Sequence, residues 1–218
     1  MPSAPTTWSA FAPPSSACWP SRSSRSVDCA DPASFSAAGN VTAKPRSELV
    51  TERLRLRWMN ETDASLMLAI WNDSGFIRYV ADRGIRTEAE ARQALRDGIL
   101  KLYEERGYGP YLLEPRDGGA PMGICGLFKR DNLDFPDLGY SLLPAFRGSG
   151  HALEAARAVL AHARDDLGFS RVLAIVSPSN TRSIRLLNKL GMEFERALRM
   201  PGDEKDVALY ATPLAVMD

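Results

Sequence analysis

Apolar and polar positions recur along most of this chain with one of two periods, and the places where the period switches mark its elements. Leu49-Val50 and then Leu54, Leu56 and Trp58 follow a period of two and predict a first strand. Asn60 precedes a helical pattern through Ala64, Met67, Leu68 and Trp71 and is placed to cap it. A short helical piece follows around residues 76–80. Thr87-Glu88-Ala89-Glu90 has the spacing of a capping box, and Ala91, Ala94, Leu95, Ile99 and Leu102 continue at helical spacing until Gly107. Residues 108–113 and 122–128 read as strands joined by the turn Arg116-Asp117-Gly118-Gly119, and a fourth strand over 138–143 stops at Pro144. Ala152, Ala156, Val159, Leu160, Ala163 and Leu167 form the stripe of a long helix ended by Gly168. A compact strand over 171–176, a helix from Asn180 to Gly191, and strands over 193–199 and 206–211 complete the chain, the last two separated by Pro201-Gly202-Asp203. The predicted order is β-α-α-β-β-β-α-β-α-β-β, a mixed α/β (α+β) domain.

Residues 1–46 break both periods. They are rich in Ser, Ala and Pro, as in Pro13-Pro14-Ser15-Ser16. Such a segment buries too little apolar surface to offset its chain entropy, so it is expected to be disordered, with a single domain over 47–218.

Composition then narrows the function classes. The chain has 218 residues, and its 27 basic residues balance 27 acidic ones. No global field draws it to nucleic acid or to an anionic membrane, so any anion site must be local. No apolar run reaches the roughly 18 residues of a membrane span. Three cysteines without a CxxC pair, and only two histidines, argue against a structural metal site. This cysteine usage fits a reducing, cytoplasmic setting, and Cys125 lies in an apolar run as a buried thiol.

The local anion site is the turn before the long helix, Arg147-Gly148-Ser149-Gly150-His151-Ala152. A helix N-terminus presents unsatisfied N–H groups and the positive end of the macrodipole. Gly148 and Gly150 allow close backbone approach, and Arg147 adds a positive charge, which together suit a pyrophosphate. The pattern is neither a Walker A loop, since no Gly-Lys-Ser/Thr follows, nor a complete GxGxxG. Taken alone, the turn fits an anion cradle and an unliganded glycine turn equally.

Its surroundings carry a resemblance. Leu138-Gly139-Tyr140-Ser141-Leu142-Leu143-Pro144 with Arg147-x-x-Gly150-x-Ala152 resembles motif A of the GNAT acetyltransferases. Asn180-x-x-Ser183-x-x-Leu186-x-x-x-Leu190-Gly191-Met192 resembles their motif B, and Thr51-Glu52-Arg53-Leu54-Arg55-Leu56-Arg57 the opening of the RimJ/RimL-like, ribosomal-protein N-acetyltransferase branch. The resemblance covers residues 48 to 214 in the family order. It implies the GNAT acyl-CoA N-acyltransferase fold, a mixed and mostly antiparallel sheet flanked by helices. It also implies acetyl-CoA as cosubstrate, with pantetheine between the splayed fourth and fifth strands against the backbone of Leu142 and Leu143. The pyrophosphate would lie on the N–H groups of Arg147, Gly148, Ser149, Gly150, His151 and Ala152.

The implied reaction is direct acetyl transfer to a primary amine, either a protein N-terminus or a small molecule. Asp137 stands where relatives often carry an acid and is a candidate base; the competing reading is a solvated strand-edge charge. The Tyr that many relatives place seven residues after the motif B Asn is Leu187 here. Asn180 and Ser183 share one helix face, so Ser183 is the candidate acid or water-holder and Asn180 a cap and CoA contact. Arg78, Tyr79 and Arg83 fall where the fold builds its acceptor site, and Glu154 is expected to pair with Arg157 on the surface. The alternative function is a CoA-binding sensor without turnover. A monomer and a homodimer are both compatible with the sequence.

Overall fold

The computed structural model describes residues 47–200 and 206–213. Residues 1–46, expected to be disordered, lie outside the described residues, as does the turn at 201–203.

Eight strands form one sheet in the order β1-β2-β3-β4-β5-β6-β8-β7. They are β1 (Glu48–Val50), β2 (Leu54–Arg57), β3 (Pro110–Pro115), β4 (Gly123–Phe128), β5 (Asp137–Leu142), β6 (Arg171–Val176), β7 (Glu193–Arg199) and β8 (Asp206–Pro213). Every neighbouring pair is antiparallel except β5 and β6, which run parallel. The mixed, mostly antiparallel sheet is the expected one, with one strand more. The predicted first strand is a hairpin, because Glu154 clamps its turn. Glu154 Oε1 accepts from Thr51 Oγ1 at 2.6 Å and from Arg53 N–H at 2.9 Å, while Oε2 accepts from Arg53 Nε at 2.7 Å. Glu154 therefore holds this hairpin rather than a surface pair on its own helix.

One face of the sheet is covered by α5 (His151–Asp165) and α6 (Thr181–Lys189). Ala155, Ala156, Val159 and Ala163 of α5 and Leu187 of α6 pack there against Leu54, Tyr111, Cys125, Leu138 and Leu142. The other face carries α1 (Ala64–Trp71), α2 (Ser74–Tyr79) and a long helix composed of α3 (Glu88–Ala94), a π turn over Leu95–Leu100, and α4 (Lys101–Arg106). Its buried positions Ala91, Leu95, Ile99 and Tyr103 repeat every four residues. That spacing drifts off an α-helical stripe, and the wider π turn absorbs the drift. The stripe consequently ends on Tyr103 instead of the expected Leu102. The predicted Thr87–Glu90 box forms, and the predicted Asn60 cap forms as a box with Asp63.

Candidate active site

The parallel pair β5–β6 is joined at one register position, Asp137 opposite Leu173, with Leu173 N–H donating to Pro136 O at 2.9 Å. Beyond that point the strands part. A crevice at the carboxyl ends of diverging parallel strands is where an open α/β sheet receives a ligand.

The backbone of β5 decides which groups face this gap. Leu143 N–H donates to Met122 O at 2.9 Å, so of the Leu143 backbone the N–H is committed to the β4 side. Strand alternation turns Leu142 the other way, and its N–H points into the gap. Gly123 of β4 lies directly behind Leu142: a Cβ there would sit 2.3 Å from Ser141 O and 2.7 Å from Leu142 Cα. Any side chain would push β5 away from its neighbour.

At the mouth of the gap the chain passes through Gly148 at φ 88° and Gly150 at φ 83°. Gly150 is the N-cap of α5, and no side chain caps that helix; its first backbone bond runs from Glu154 N–H to Gly150 O. The leading N–H groups of a 15-residue helix are thus left for an external acceptor. His151 Nδ1 is buried without a partner at the same turn. These features fit a pyrophosphate.

Arg147 acts otherwise than expected. Its Nε donates to Leu142 O at 2.8 Å and its Nη2 meets Asp73 Oδ1 at 2.5 Å. Asp73 is the N-cap of α2, accepting from the N–H groups of Gly75 and Phe76. Burial pushes the Asp73 carboxyl up, but the bond from Arg147 and the capping N–H groups bring it below its ordinary pKa. The guanidinium is therefore neutralised. It ties the turn and the end of β5 to the α1–α2 connection instead of offering a free charge to phosphate. A second arginine approaches the turn: Arg53 Nη1 donates to Ser149 O at 3.0 Å. Arg53 was legible only as part of an opening motif; its contact needs the hairpin and α5 together.

On the α6 side, Asn180 caps the helix, its Oδ1 accepting from Ser183 N–H at 3.1 Å. Ser183 Oγ accepts from Tyr140 Oη at 2.9 Å, across the gap from β5. Burial, opposed by the Ser183 hydrogen bond, moves the Tyr140 pKa up to about 12, so the phenol keeps its proton. Tyr140 is the residue that sequence reasoning missed. The available signal was alternation along β5, which places a polar-tipped ring between Leu138 and Leu142 on the face toward α6. Leu187 is buried in the core beneath.

Asp137 is not brought together with this pair. It is 1% exposed, at the closed end of the fork, with both carboxylate oxygens 3.0 Å from Arg130 Nε. Burial raises its pKa against the pull of Arg130. It is therefore a buried, paired carboxylate and not a solvated edge charge.

On the sheet face away from α5 and α6, Leu143, Phe128 and Phe76 pack against the second core, which includes Trp71 and Leu112. Arg78 lies over the Tyr79 ring at 5.1 Å and Arg83 over the Trp71 ring at 4.4 Å. Among the described residues, no helix is long and apolar enough to cross a membrane.

This geometry has counterparts among known proteins. Residues 53–193 match the family model described as an acetyltransferase (GNAT) domain. The uncharacterized protein YkkB of Bacillus subtilis is 30% identical over 170 residues, covering 76% of this chain and 95% of that protein. A putative GNAT-family acetyltransferase from Bordetella pertussis superposes with TM-score 0.64 at 25% identity, over 76% of this chain and 99% of that one. RimL, a ribosomal-protein α-N-acetyltransferase solved in complex with coenzyme A, shares the fold with TM-score 0.61 at 19% identity, over 76% and 97% of the two chains. An uncapped helix after a splayed parallel pair, on a domain matched through both motifs, shows that the chain belongs to the GNAT acetyltransferase family.

Proposed function

We propose that the chain transfers the acetyl group of acetyl-CoA directly to a primary amine, on a protein N-terminus or a small molecule. The observation that carries this reading is the fork between β5 and β6 opening onto the uncapped start of α5. Acetyl-CoA supplies an activated acetyl group. The first-turn N–H groups of α5 and the Gly148–Gly150 turn hold its pyrophosphate, and Leu142 N–H orients the thioester arm. Such donors are already aligned, so they can steady developing oxyanion charge without reorganising.

The proton for the departing thiolate comes from Ser183, backed by the Tyr140 hydroxyl that donates to it. This pair takes the place of the phenol absent at Leu187. No base is assigned on the enzyme. A protein α-amine has a pKa near 7.7–8.0, so roughly a tenth is already neutral at pH 7 and water can take the proton from the rest. Direct transfer is favoured because Cys125, the cysteine among the described residues, is fully buried with its thiol pKa pushed up by desolvation. A thiolate nucleophile is not available there.

The test is an acceptor screen of peptides and small amines, read as free CoA release, with acetyl-CoA binding measured by calorimetry. Binding with turnover on at least one amine is expected. Tight binding without turnover on any amine would replace this reading with a CoA sensor, and absence of binding would remove both.

A further inference from the structure

The hairpin between β1 and β2 reaches the glycine turn through the side chain of Arg53. Its Nε and Nη2 meet Glu154 Oε2 at 2.7 and 2.6 Å, and its Nη1 donates to Ser149 O at 3.0 Å. Glu154 lies in the first turn of α5, and its other oxygen is held by Thr51 Oγ1 and by the N–H of Arg53 itself. The guanidinium thus bridges a fixed carboxylate and a backbone carbonyl. Its planar fork of donors can span the two, whereas a single ammonium presents one point charge.

Ser149 O is the acceptor that Leu153 N–H would meet if the helix began one residue earlier. Instead the helical series opens with Glu154 N–H on Gly150 O, and Ser149 O accepts from Arg53. A trans peptide unit holds its C=O and its N–H on opposite sides. Fixing Ser149 O toward Arg53 therefore turns Gly150 N–H away from it. That N–H makes no backbone hydrogen bond among the described residues. Gly150 supplies the bend at φ 83°, and a Cβ there would lie 3.4 Å from Arg53 Nη2. The guanidinium is therefore packed on the turn itself, and it can order the amides without touching the ligand.

We propose that Arg53 is a positioning residue of the pyrophosphate cradle. By bridging Glu154 and Ser149 O, it sets the direction of Gly150 N–H and leaves the leading amides of α5 to the phosphates. This rests on the acetyl-CoA reading above and deepens it. The β1–β2 hairpin, at the edge of the sheet, becomes a working part of the donor site.

The experiment measures affinity for CoA and for dephospho-CoA by calorimetry, and stability by thermal unfolding. The proteins compared are the wild type, Arg53→Met, Arg53→Lys and Leu49→Ala. Leu49 of β1 is 8% exposed in the core and takes no part in the bridge, so Leu49→Ala loosens the hairpin alone. Arg53→Met should weaken both ligands alike, by about three- to tenfold, because both carry the pyrophosphate. Arg53→Lys should lose nearly as much, since it keeps the charge without the fork. Leu49→Ala should lower Tm and leave both affinities unchanged. Unchanged affinity in Arg53→Met overturns the inference. Full affinity in Arg53→Lys does so too, because charge alone would then suffice. A loss confined to CoA overturns it in favour of direct contact with the 3′-phosphate. An equal loss in Leu49→Ala overturns it in favour of a merely structural role. In each of these cases the acetyl-CoA reading stands; a wild type that binds neither ligand removes that reading and this inference together.

Discussion

If Arg147 works through Asp73 and not through phosphate, then removing the Asp73 charge should weaken CoA binding although Asp73 faces α2. The perturbation is Asp73→Asn. Asparagine keeps a carbonyl oxygen for the N–H groups of Gly75 and Phe76, so the cap on α2 is retained while the ion pair is lost. A charge-assisted hydrogen bond contributes about 1.5–3 kcal/mol where it is shielded. Asp73 is shielded at 8% side-chain exposure, but Arg147 is 35% exposed, and solvent screening lowers the figure to about 1–2 kcal/mol. For a domain of this size that corresponds to a fall in Tm of about 3–6 °C. If the turn loosens by the same free energy, CoA affinity falls about five- to thirtyfold. The assay is a double-mutant cycle of Asp73→Asn and Arg147→Met, with CoA affinity by calorimetry and stability by thermal unfolding. The two single variants and the double variant should lose similar affinity, giving a coupling of about 1–2 kcal/mol. An unchanged affinity in Asp73→Asn beside a large loss in Arg147→Met refutes the reasoning. The guanidinium would then reach the phosphates directly, as its motif position suggests.

Four further outcomes are expected. Ser183→Ala should lower kcat about a hundredfold and Tyr140→Phe about tenfold, with little change in KM for acetyl-CoA; equal rates in wild type and both variants would remove the pair from proton transfer. Because the Tyr140 pKa lies at about 12, the wild-type rate should show no alkaline decline from this pair up to about pH 10. Asp137→Asn should cost about 2–4 kcal/mol in denaturant unfolding, since it breaks a buried pair with Arg130, while the pH–rate profile keeps its shape; a lost acid limb would restore Asp137 as base. Glu154 is raised by burial but pulled below its ordinary pKa by Thr51 and Arg53. Its folded pKa is thus the lower one, and its stabilisation is complete above the unfolded value near 4.3 and disappears as pH falls below about 4. The stability gap between wild type and Glu154→Gln, followed by urea unfolding across pH, should close in that range; a gap that widens there contradicts the clamp.

What the sequence determined by itself was what local physics encodes. Period-two and helical patterns placed most of the elements, and Asn60, Thr87, Gly107 and Gly191 bounded helices because caps and left-handed turns depend on a few adjacent residues. The glycine turn before α5 was legible for the same reason. Tertiary structure decided everything that joins distant segments. Glu154 broke the predicted first strand into a hairpin from about a hundred residues away. Asp73 claimed the guanidinium that the motif offered to phosphate, and Met122 claimed the N–H of Leu143. Arg130 buried Asp137, and α6 carried Ser183 to Tyr140. In each case a charged or hydrogen-bonding group has several possible partners in sequence, and only packing fixes which one it meets, because an unpaired polar group in the interior is the costlier outcome.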